Sequence, residues 1–397
     1  MELNHYFDPV DFGRFRGESK FSRHTLGYYI ERDTLKGAAS GKGAVRVALV
    51  GVPHAGTGNP AGWAKAPEAM RRKLYGMSHF GESTGVVDLG DLRPGKGPRD
   101  LYFALRDVTD YLTGEGITLV IMGGSQEWSI GICRAFTERD DFVLSVIDAR
   151  VDLKMGREVT GATNFLTKVV NENPRLFHLQ MIGTQAPLVP PAVTDFLYEQ
   201  TFDLLSLGQL RDDIQQAEPL LRHTTFLSFD MGAIKGSEVG HSAGISPNGL
   251  YSEEACRLSR YAGLSPTMEV FALSGSDPDH DPSEVGQSLA AQILWYFLEA
   301  RTQCRREDPR KETSPFVRYY VEMEIHGEPV VFYHHPPTNR WWLEVFHGET
   351  GSWIIPCQEN DYSSAVRQEL PEIWWKFARK LSVYQNNRKL NSFFAKR

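Results

Sequence analysis

Eight short apolar runs dominate the chain between about residues 44 and 300. They are VRVALVG, GVVDLG, ITLVIMG, FVLSVID, LFHLQMIG, FDLLSLG, TTFLSFD and MEVFALSG. Several are apolar at nearly every position rather than at alternate ones. A strand of that kind must be covered on both faces, and parallel sheets obtain that cover from flanking helices. Stretches with helical character, such as PEAMRRKLYGM and SEEACRLSRYAG, lie between the runs. The order is therefore β-α repeated, which predicts an α/β domain. The amphipathic stretch SLAAQILWYFLEARTQ closes it as a long helix.

The flanks read differently. Residues 1–43 form an arm that ends in the linker-like GAASGKG, and RREDPRKETSP is a charged linker. From residue 314 to 397, FVRYYVEMEI, EPVVFYHH, RWWLEVF and GSWIIPC suggest antiparallel strands, with HGEP and HGETGS as turn signals. SSAVRQELPEIWWKFARKLSV then predicts a helix capped by Asp361 or Ser363, with a kink or restart at Pro371. The expected organisation is an arm (1–43), a large α/β domain (44–304) and a small α+β tail (314–397).

Composition excludes several classes. The net charge is −7 and no block of like charge stands out, so neither a nucleic acid nor an anionic membrane is an expected partner. No run approaches the ~18 apolar residues of a membrane span. The amino-terminal residues lack a basic start followed by an apolar stretch, and the four cysteines lack CxxC spacing. A cytoplasmic protein with reduced thiols is expected.

Chemistry gathers after the fourth run, in SVIDARVDLK. Asp148, Arg150 and Asp152 share a side wherever the backbone stays extended, because strand side chains alternate. In open α/β sheets the carboxyl ends of strands are where ligands bind.

The succession GVPHAGTGNPAGWAKAPEAMRRKLY, DLGD, GGSQEWS, IDARVDL, SFDMG, SPNGLYSEEA and MEV resembles the ureohydrolase superfamily, which contains arginase, agmatinase and formimidoylglutamase. The resemblance covers about residues 44–300. It implies a three-layer αβα sandwich around an eight-stranded, mostly parallel sheet. It also implies two manganese ions held by four aspartates and two histidines, with a bridging hydroxide as nucleophile; carboxylate and imidazole suit such metals. Against that pattern Gln126 and Arg150 stand at the two histidine positions, and Gly232 stands at one aspartate position. Asp148, Asp152 and Asp230 keep theirs. Glu269, in MEV, matches the glutamate that contacts a substrate guanidinium, and His54 follows a strand end near the expected pocket mouth.

Arg150 has no lone pair for a metal. Among three carboxylates it would act as a fixed positive charge, since stranded buried carboxylates are costly. Its guanidinium is therefore expected within hydrogen-bond reach of at least two of Asp148, Asp152 and Asp230. No cofactor is expected; the alternative is manganese, on those three aspartates if anywhere. The leading functional expectation is a non-catalytic relative that works by binding, as a scaffold, subunit or regulator with a protein partner or a second copy. The alternative is a metal-dependent hydrolase of an amidine or guanidino compound. Trp341, Trp342, Trp353, Trp374 and Trp375 concentrate in the tail, as a core of large aromatics or as a partner surface.

Overall fold

The computed structural model describes residues 3–11, 21–33, 35, 46–81, 85–154, 160–240, 246–305, 307–311, 315–324, 329–346 and 352–381. All eight apolar runs are strands: β1 (Val47–Gly51), β2 (Val86–Leu92), β3 (Thr118–Met122), β4 (Val143–Ile147), β5 (His178–Thr184), β6 (Asp203–Ser206), β7 (Phe226–Asp230) and β8 (Val270–Ser274). They pair in parallel in the spatial order 2-1-3-8-7-4-5-6. Every residue of β1, β3, β4, β5 and β8 is buried, as two-sided helical cover requires. The α/β class with a mostly parallel central sheet is thus the observed one.

The helices bury single stripes. Ala66–Tyr75 turns Met70, Leu74 and Tyr75 inward, and Val285–Gln303 contributes Leu289, Ile293, Phe297 and Leu298. Two arm segments extend the sheet at β2: Phe7–Asp8 pairs antiparallel with it and Glu31–Arg32 pairs parallel. The GAASGKG linker lies outside the described residues.

The described chain divides into two compact units, one of residues 1–196 with 202–304, the other of 197–201 with 305–397. The second holds an antiparallel sheet of β9 (Val317–Val321), β10 (Val330–His335), β11 (Arg340–Phe346) and β12 (Ser352–Cys357), in that order. HGEP and HGETGS fall largely outside the described residues. Register places Trp341 opposite His334 and Trp342 opposite Tyr333, so the two rings take opposite faces. Trp341 stacks on His334 and Tyr362, with ring centroids 4.2 and 4.8 Å away, while Trp342 joins Val331, Tyr333 and Ile354.

The tail helix differs from expectation at its start. It runs Glu359–Val366 with Gln358 as N-cap, because the Gln358 amide donates to Asp361 Oδ2 at 2.8 Å within a capping box. Asp361 and Ser363 lie within the helix. A second helix, 372–381, restarts after Pro371, and it buries Trp374, Phe377 and Leu381.

Candidate functional site

The carboxyl ends of β1, β3, β8, β7 and β4 are neighbours in the sheet, and the segments that follow them converge at one edge. β3 runs into Gly123 and Gly124, both left-handed at φ 79° and 74°. Gly124 accepts a hydrogen bond from the amide of Gly275 beyond β8, at 3.1 Å. Ser125 then caps the turn Gln126–Trp128, its Oγ accepting from the Glu127 amide at 3.2 Å.

Gln126 is 2% exposed, and neither its Oε1 nor its Nε2 has a hydrogen-bond partner among the described residues. Glu127 is fully buried; one carboxylate oxygen accepts from the Thr57 amide at 3.2 Å and the other has no partner among the described residues. Burial pushes its pKa up to about 7, against the hydrogen bonds from Thr57. Sequence reasoning missed Glu127; the signal was an acidic residue directly after Gln126 in a glycine-led turn.

β4 delivers Asp148. Ile147 is in register with Phe229, so Asp148 and Asp230 leave adjacent strands side by side. Asp148 is 7% exposed, while Asp152 and Asp230 are half-buried. Asp148 is hydrogen-bonded to Asp152. Burial, then the charges of Asp152 and Asp230, drive the Asp148 pKa well above its ordinary value. Burial and the Asp230 charge raise Asp152 to about 7, with Arg150 and Lys154 opposing. Asp230 rises to about 6 through burial, against hydrogen bonds from the Gly232 amide and Ser274. Three carboxyl groups therefore share one confined place.

The charge-replacement role of Arg150 is corrected by this geometry. Arg150 is exposed, and its guanidinium forms no hydrogen bond or ion pair with a described residue. Only its backbone amide reaches the cluster, donating to Asp148 Oδ1 at 3.0 Å. The chain turns out of extended conformation after Ile147, so alternation no longer aims residue 150 beside residues 148 and 152.

Glu269 is a second correction. It precedes β8 at the amino end of the sheet, where its amide bonds to Thr225 O. Its carboxylate forms a bidentate pair with Arg139 at 2.6 and 2.8 Å. The length of β8 separates it from Asp230, which is in register with Ser274. His54 does lie near the Gln126 turn: its carbonyl accepts from Trp128 Nε1 at 3.0 Å, and its ring meets Trp128 edge-on at 4.9 Å. Its Nδ1 accepts from the Gly56 amide at 3.2 Å, and burial lowers its pKa. At Gly232 a Cβ would stand 2.8 Å from Asp230 Oδ1, so an aspartate restored there would require that carboxylate end to shift.

In the tail, Trp341, Trp342 and Trp374 are buried and Trp353 is half-buried. Of the five tryptophans only Trp375 is broadly exposed, at 59%. A surface formed by all five is thereby corrected to one tryptophan.

A parallel eight-stranded sheet with three carboxyl groups gathered at its carboxyl edge agrees with the α/β architecture that the ureohydrolase resemblance implies. The profile of the Arginase family matches residues 45–299, and the chain belongs to that family. Formimidoylglutamase of Salmonella paratyphi C is 23% identical over 253 residues, which span 60% of this chain and 79% of the relative. Among solved structures, formimidoylglutamase from Bacillus subtilis aligns with TM-score 0.62 at 19% identity, covering 73% of this chain and 96% of that one. Formiminoglutamase of Trypanosoma cruzi, described with Mn2+, aligns with TM-score 0.60 at 17% identity, covering 68% and 97%. Proclavaminate amidino hydrolase from Streptomyces clavuligerus gives 0.60 at 17% identity, covering 72% and 99%.

The expectation of no cofactor is corrected: a structural relative, the Trypanosoma cruzi formiminoglutamase, is described with Mn2+. The donor set of the present chain is nevertheless different. Position 150 offers an exposed guanidinium, position 232 offers no side chain, and Asp148 and Asp152 bond to each other. Among the described residues no group of three or more His, Cys, Asp or Glu side chains is placed so that it could hold a metal ion. No chemical step is routed through a metal here. Among the described residues no helix is long and apolar enough to cross a membrane.

Proposed function

We propose that this arginase-family chain uses the pocket beyond β3, β4, β7 and β8 to bind a small ligand with a planar, nitrogen-bearing carbon head, without hydrolysing it. The observation that carries this reading is the set Asp148, Asp152 and Asp230, three carboxyl groups raised by burial and by one another, with Arg150 and Lys154 opposing only at Asp152. Buried carboxylates need hydrogen bonds or positive charge. Ligand N–H donors supply the hydrogen bonds. Hydrolysis in this superfamily needs an activated water, and the two positions that would supply imidazole ligands for it are Gln126 and Arg150. A binding role also gives the chain a protein partner or a second copy as the reader of its ligand state, with Trp375 as an exposed contact on the tail unit.

Calorimetry with arginine, agmatine, formiminoglutamate and citrulline tests the reading, with urea, formamide and ammonia assayed in parallel, with and without added manganese. Binding of at least one ligand with no product above the blank is the expected result, and Asp148→Asn should abolish the binding. The similarity to formimidoylglutamases favours a second reading, a hydrolase of amidine or guanidino compounds. Sustained product release would establish that one instead.

A further inference from the structure

We propose that Gln126 is the specificity-determining residue of this pocket. It selects a ligand head that carries a carbonyl oxygen as well as N–H donors, a ureido or primary-amide group, over a guanidinium or amidinium. The inference rests on the pocket reading above and narrows it.

Buried polar atoms in folded proteins almost always have partners. The neighbours of Gln126 obey that rule: Ser129 Oγ meets Ser228 Oγ at 3.0 Å, and Trp128 Nε1 donates to His54 O. Gln126 does not, although both halves of its amide are enclosed. The turn that carries it packs against β7, which ends in Asp230, and against the Ala162–Asn164 turn. It is also tied to the loop beyond β8 through Gly124 and Gly275. An enclosed primary amide with no partner among the described residues, on a turn packed against β7, calls for a group that those residues do not supply.

The chemistry of that group follows from donor and acceptor counting. Carboxylates that accept hydrogen bonds call for N–H groups on the ligand. Gln126 Oε1 accepts one more N–H, but Nε2 is a donor and needs an acceptor. A guanidinium or amidinium carries donors only, so it would leave Nε2 buried and unsatisfied. A ureido or carboxamide head carries N–H groups and an oxygen in one plane and can satisfy every atom. A site built to pair a specific polar group rejects the analogue that lacks it.

L-citrulline and L-arginine separate the two classes, because citrulline has a carbonyl oxygen in place of arginine's iminium nitrogen and lacks its positive charge. The full chain should bind citrulline more tightly than arginine, by at least about tenfold. Gln126→Glu replaces the donor with an acceptor and should reverse the preference, whereas Gln126→Leu should flatten it. Melting curves of both variants report whether they fold, and the wild-type ratio decides the matter if they do not. Tighter arginine binding by the wild type, or an unchanged ratio in folded Gln126→Glu, overturns the role of Gln126 and leaves the pocket reading intact. Binding of neither amino acid overturns both.

Discussion

The backbone amide of Arg150, rather than its guanidinium, donates to Asp148 Oδ1 at 3.0 Å. A position that reads in sequence as a built-in counter-charge thus contributes a main-chain hydrogen bond, and its side chain faces water. Arg150→Ala should consequently cost little stability, roughly 0–1 kcal/mol as for exposed charges. Thermal melts at low and high salt check this; a loss of several kcal/mol would restore the buried ion cluster.

The carboxyl pocket sets a pH dependence with a definite sign. Glu127 and Asp152 titrate near 7 and Asp230 near 6, all raised first by burial. Unfolded, such groups titrate near ~4. The folded state holds their protons more tightly, so their stabilising contribution is complete below about pH 4 and is lost as pH rises through 6–7. The ligand-free protein should melt at a lower temperature at pH 8 than at pH 5.5, and Asp230→Asn should shrink that difference. A melting temperature that rises over this interval would contradict the crowding of these carboxyls.

Gly275 is required twice over. Its φ of +77° is left-handed, and a Cβ there would stand 2.5 Å from Asp230 Oδ1. Gly275→Ala should cost about 2–4 kcal/mol from backbone strain and overpacking together. Denaturant titration measures this, and a shift below half a kcal/mol would mean that the Asp230 carboxylate moves freely.

Glu269→Gln separates the two ends of the sheet. Glu269 pairs with Arg139 at the amino edge, so the variant should leave ligand affinity within error. Its stability should fall by no more than about 1–2 kcal/mol. Loss of binding would place Glu269 in the pocket after all.

The tail tryptophans should divide sharply. Trp341, stacked between His334 and Tyr362, should cost about 3–5 kcal/mol on replacement by Ala. Trp375, at 59% exposure, should change stability by less than about 0.5 kcal/mol. Equal losses at the two positions would show that Trp375 is also part of a core.

The eight strands were legible because their signal is local: a run such as FVLSVID can be apolar throughout only if both of its faces are covered. Pro371 likewise marked the helix restart, since a ring without an amide hydrogen interrupts any helix. The order of motifs also carried the family, and Gln126, Arg150 and Gly232 were visible as departures from it. Tertiary structure alone decided where the side chains point. Asp148 and Asp230 are 82 residues apart, and they meet because parallel pairing sets Ile147 beside Phe229. Arg150 escaped its expected role because the backbone turns after β4, which residue identity does not encode. Glu269 was assigned to the pocket from a three-letter match, although strand length puts it at the opposite edge. Sequence periodicity reports which positions are covered, whereas contact between distant carboxyls, and the unpartnered amide of Gln126 near them, arises only when register and loop direction are fixed together.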